Sequence, residues 1–78
     1  MSLRAALRHL QLGDWEEAHS IAQDDESSLG FWAHGIVHLQ EGDTSNARYW
    51  YGRAQREFPE PVEIAKEISA LAAALGEE

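Results

Sequence analysis

Two histidines and a glutamate, His34, His38 and Glu41, stand at i, i+4 and i+7 in "HGIVHLQE". In a helix that spacing places all three side chains on one stripe. Two imidazoles four residues apart can reach the same Zn²⁺ or a similar ion, and a carboxylate can serve as a third ligand. His19 lies on an upstream helical segment whose side is expected to face this one, so His19, His34, His38 and Glu41 form one candidate polar cluster. Its available chemistry is metal binding or general acid–base transfer. No established metal motif spans these residues. The reading the sequence favours is plainer: His34 and His38 fill half-buried packing positions and hydrogen-bond to Tyr51 or to backbone. His9 occupies the place equivalent to His38 in an internal repeat, which supports a structural use of histidine there. The expectation is therefore no metal and no cofactor, with the metal or acid–base site as the alternative. Nucleophilic catalysis has no support. Ser20 adjoins His19, but neighbours on a helix point about 100° apart and do not form a Ser–His pair. An enzyme is not expected.

The elements that must position these residues read almost wholly as helix. Ser2 caps a first helix over Leu3–Leu12, with Leu3, Ala6, Leu7 and Leu10 on one face. Gly13 stops it, and Asp14 caps a second helix carrying Trp15, Ala18, His19 and Ala22 on one side. "QDDESS" at Gln23–Ser28 is a solvated acidic loop. Ser27 or Ser28 opens a third helix that runs to Glu41 and stops at Gly42. Asp43 or Thr44 caps a fourth, with Ala47, Trp50, Tyr51, Ala54 and Phe58 clustered at helical spacing. Pro59 and Pro61 end it, and a fifth helix follows from Pro61 to about Leu75 with Ile64, Ile68, Leu71 and Leu75 as its stripe. The fold class is all-α, in one domain spanning residues 1–78. Short connections make neighbouring helices antiparallel.

Composition narrows the function classes. The chain has 78 residues, a net charge of −8 and no cysteine, so neither a disulfide nor a thiolate metal site can hold it together. The acidity argues against nucleic-acid binding, which needs basic residues against phosphates, and against an anionic membrane surface. No apolar run approaches the ~20 residues that span a bilayer. The segment "MSLRAALRHLQLG" is acid-free and amphipathic, but it belongs to the repeated pattern and is not read as a transit peptide. A cytoplasmic protein is the expectation.

"HLQLGD" at His9–Asp14 and "HLQEGD" at His38–Asp43 nearly coincide, 29 residues apart. A recurring helical hairpin suggests a solenoid. "FWAHGIVHLQEGDTSNARYWYGRAQREFP" resembles a tetratricopeptide repeat: Phe31 and Gly35 on the first helix, Gly42 at the turn, Ala47, Tyr51 and Ala54 on the second, and Pro59 at the close. "NARYWYGRA" is also similar to the second helix of Sel1-like repeats, without their longer glycine-rich turn. The first copy matches at Gly13, Trp15 and Ala18, then departs: Ala22 stands where the large aromatic belongs, and no closing proline follows. "GDWEEAH" followed by "HGIVHLQEGDTSNARYWYGRA" is similar to a group of small bacterial proteins. The resemblance implies two antiparallel hairpins, about residues 2–28 and 28–59, and a capping helix over about 61–75, in a right-handed α-solenoid fragment.

In such arrays the first helices line a concave face. Mapped here, that face carries Leu3, Leu7, Leu10, Trp32, Ile36 and Leu39, an apolar strip that would meet a peptide, a helix or a second copy of the chain. The alternative for the leucines of the first helix is ordinary core. A protein-interaction module, working through this strip and possible as a homodimer, is thus the first functional expectation. A second surface, Tyr49, Arg53 and Arg56, is expected on one stripe of the fourth helix opposite Trp50, either solvated or facing a carboxylate-rich partner.

Overall fold

The repeated "HLQ-x-GD" has a local structural meaning. In both copies the glycine takes the left-handed conformation, with φ of 79° at Gly13 and 90° at Gly42. The aspartate N–H that follows then donates to the histidine carbonyl, at 2.8 Å for Asp14 to His9 and 2.9 Å for Asp43 to His38. Each aspartate side chain also caps the next helix, accepting from the N–H of Glu17 at 3.4 Å and of Asn46 at 3.2 Å. One six-residue phrase therefore ends one helix and starts the next, and glycine is needed where an L side chain would be strained.

The computed structural model describes residues 2–76. Five helices follow in order: α1 (Leu3–Gln11), α2 (Trp15–Ala22), α3 (Ser28–Glu41), α4 (Thr44–Arg53) and α5 (Ile64–Ala74). Among the described residues there is no strand, and no helix is long and apolar enough to cross a membrane. The all-α expectation holds.

α3 is the central element. It packs on all four other helices and is buried at every position from Trp32 to Leu39. A helix surrounded in this way needs small or apolar residues around most of its circumference, and "WAHGIVHL" supplies six, with His34 and His38 as buried polar exceptions. Gly35 faces α4 so closely that a Cβ there would lie 2.6 Å from Tyr51 Cδ1 and 3.5 Å from the Ala47 carbonyl oxygen. The two-residue connection Gly42–Asp43 folds α4 back onto α3, and Ala47 and Tyr51 fill the contact.

α5 packs on α3 and also on α1. Leu71 and Ala72 join the same core as Leu7, Leu10, Trp32 and Ile36. This corrects the expected open strip. Leu7, Leu10, Trp32, Ile36 and Leu39 are buried, and Leu3 is half-buried against them. The physical cause is the return of α5 across the face that an open array would leave free. Five of these residues are core of the single chain, and Leu3 lies at its edge.

Two boundaries also differ. α4 ends at Arg53, short of Phe58, because Gln55 turns to a φ of 60° and the Arg56 N–H donates to the Tyr51 carbonyl at 3.0 Å. α5 begins at Ile64, three residues after Pro61.

Candidate metal centre

α2 and α3 bring three imidazoles together. Asp14 starts α2 so that Ala18 and Ala22 are buried in the core; His19, next to Ala18, reaches α3 at the edge of that contact, half-buried. His34 and His38, one turn apart on α3, are only 6% and 7% exposed. Ring centres are 4.7 Å apart for His19 and His34, 5.0 Å for His34 and His38, and 5.4 Å for His19 and His38. One ring nitrogen from each lies within 4.8 Å of the others.

The protonation states suit ligation. His34 is pushed down to about 4, first by burial and then by the neighbouring His19 and His38. At neutral pH it is an uncharged imidazole with a lone pair. His38 Nδ1 lies 2.7 Å from Glu41 Oε1. A carboxylate there accepts from Nδ1–H, and a neutral His38 held in this way presents its lone pair at Nε2. Glu41 thus supports His38 from behind. It is not one of the three groups that converge.

An aromatic wall closes one side. Trp50 of α4 lies flat on His34, ring centres 3.8 Å apart and planes within 10°. Phe31 follows at 5.8 Å from Trp50. Arg53 sits over Phe31 at 4.6 Å and over Trp50 at 5.4 Å. Arg53 was expected opposite Trp50; the stack on its ring reverses that placement, since a guanidinium gains from an aromatic face. Arg56 likewise leaves that stripe and covers Trp32 at 3.4 Å.

Of the two partners expected for the packed histidines, Tyr51 or backbone, Tyr51 is engaged elsewhere. Its O–H donates to Glu67 Oε1 of α5 at 2.6 Å, and Trp32 Nε1–H donates to the same oxygen at 3.2 Å. Burial and then Glu67 push the Tyr51 hydroxyl pKa up. Glu67 and Trp50 are the residues that sequence reasoning missed. Nothing in local spacing ties position 50 to position 34, or position 67 to position 51.

Asp43 extends a second acidic group, with His38 and Glu41. Its Oδ1 is occupied by the Asn46 N–H and, at 3.4 Å, by the Ser45 hydroxyl. A carboxylate at a helix start is explained by capping alone. The described surface hollows lie elsewhere. One of about 400 Å³ is lined by Gln55–Glu60 and Glu67, and one of about 230 Å³ by Glu17, Ser20, Ile21 and Asp24. No protein-family model, curated protein or solved structure matches the chain.

Proposed function

We propose that this protein binds one divalent transition-metal ion through His19, His34 and His38, with Glu41 orienting His38. The observation that carries this is the spacing of the rings. With Zn–N bonds of about 2.0–2.1 Å at tetrahedral angles, the centres of two ligating imidazoles stand about 5 Å apart. The three rings stand 4.7, 5.0 and 5.4 Å apart, and one nitrogen of each lies within 4.8 Å of the others, so rotations of the rings are needed to bring them to the ~3.3 Å between nitrogens on one tetrahedral ion. Imidazole without thiolate suits Zn²⁺, Ni²⁺, Co²⁺ or Cu²⁺. A carboxylate on the outer nitrogen of a ligating histidine fixes its tautomer and raises its basicity. The same burial that keeps His34 neutral keeps it ready for a cation.

The test is metal analysis of protein purified without a histidine tag and equilibrated with Zn²⁺. One ion per chain is expected. At 100 times Kd, binding adds about 2.7 kcal/mol, a rise in Tm of roughly 10–20 °C for a domain of this size. A content well below one ion per chain with no thermal shift overturns the reading.

We also infer that α1–α2 and α3–α4 are two hairpins of tetratricopeptide-like kind. The matched helix ends at Gly13 and Gly42 and the close seat of Gly35 on Tyr51 support this. A peptide groove on the Leu3–Leu39 strip is not part of the proposal, since those residues are core. Among the described residues the exposed large apolar side chains are Leu12, Tyr49 and Val62, in separate segments of the chain.

A further inference from the structure

The three histidines do not complete a tetrahedral shell. Among the described residues, the group that includes His19, His34 and His38 has no fourth member. Glu41 is engaged at Nδ1 of His38 and is not among the groups that converge with His19 and His34. Structural zinc sites are closed by four protein ligands, whereas sites with three leave a position to solvent or to an incoming molecule.

We infer that the fourth position of this centre is open and takes a small anion from solvent, an inference that rests on the metal-binding reading above. Solvent reaches the cluster beside His19, the half-buried member, while His34 and His38 are almost fully covered. The face of His34 is closed by Trp50 at 3.8 Å. Charge selects its sign. Three neutral imidazoles leave both positive charges of the ion uncompensated in the inner shell. The Glu41 carboxylate is hydrogen-bonded to His38, one ring further out. Arg53 holds a further positive charge over the Phe31 and Trp50 rings. At the ion itself these charges favour a monoanion over a neutral molecule, against the field of a chain whose net charge is −8.

The experiment uses the full chain without a tag, loaded with Co²⁺, whose visible spectrum reports its ligand set. Sodium azide is titrated at constant ionic strength, and imidazole in a parallel series. Expected is a saturable spectral change with azide, one azide per cobalt. Stoichiometric cobalt binding with a spectrum that azide and imidazole both leave unmoved means a closed shell; it overturns the inference and leaves the metal-binding reading standing. A change with imidazole but none with azide overturns the anion assignment. Failure to bind cobalt at all removes the metal-binding reading, and the open position with it.

Discussion

Gly35→Ala is the sharpest test of the packing around α3. A methyl group there would meet Tyr51 Cδ1 at 2.6 Å and Cε1 at 2.8 Å. Real Cβ atoms do not sit so close, so the Tyr51 ring must move. It is fully buried, and its hydroxyl is tied to Glu67 at 2.6 Å. Overpacking of this kind costs about 1–3 kcal/mol. Weakening a hydrogen bond to a charged acceptor adds up to ~1.5–3 kcal/mol. Against this, alanine in a helix interior is favoured over glycine by about 1 kcal/mol. The net expectation is a loss of about 2 kcal/mol or more. For a domain of this size that lowers Tm by roughly 8–16 °C. Gly52→Ala is the control. Gly52 is on α4, with nothing within 4 Å of a built Cβ. There the propensity gain stands alone, and stability rises by up to ~1 kcal/mol. Both are measured by urea denaturation at constant m. If the two variants shift stability in the same upward direction, the close seat of α3 on Tyr51 is wrong.

Other outcomes follow from the cluster and its neighbours. Stability should fall as pH drops from about 6.5 towards 4: the unfolded chain protonates His34 in that window and the folded chain does not, so the loss develops there and levels off below. Full expression of that shift amounts to roughly 3 kcal/mol, read by denaturant titrations at several pH values, and a flat profile between pH 7 and 4 contradicts it. Glu41→Gln should weaken Zn²⁺ binding about 10–100-fold while leaving one ion per chain, measured by competition with a coloured chelator; unchanged affinity removes Glu41 from its supporting role. Glu67→Gln should cost about 1–2 kcal/mol and lower the Tyr51 pKa, followed by tyrosinate absorbance; a Tyr51 titration identical to that of the parent chain rules out Glu67 as a cause of its elevation. His19→Ala should abolish stoichiometric metal binding while far-ultraviolet circular dichroism stays helical, because His19 is half-buried at the edge of the core. Retained stoichiometry would mean that two histidines suffice.

Much of the local structure is legible in the residues themselves. Gly13 and Gly42 with Asp14 and Asp43 mark helix ends and starts because their effect is intrinsic to the backbone and spans only a few residues. The stripe of His34 and His38 is legible for the same reason, since helical spacing alone aligns them. The approach of His19 was legible from its side of α2. The end of α4 was not. Periodic apolar residues continue to Phe58, yet the chain breaks at Gln55 and the Phe58 ring is used against Tyr51 from outside the helix, 5.4 Å away.

What the sequence determined by itself is the set of helices, the caps at Ser2, Asp14 and Gly42 and the histidine stripe, all of which depend on contacts within about one turn. The tertiary structure alone decided whether the apolar strip is groove or core, because that depends on where α5 lies, and the hydrophobic effect rewards burial without specifying a partner. It also decided that Trp50 covers His34 and that Glu67 receives Tyr51 and Trp32. Those pairings join residues 16 to 35 positions apart, and only packing around the central helix brings them within reach.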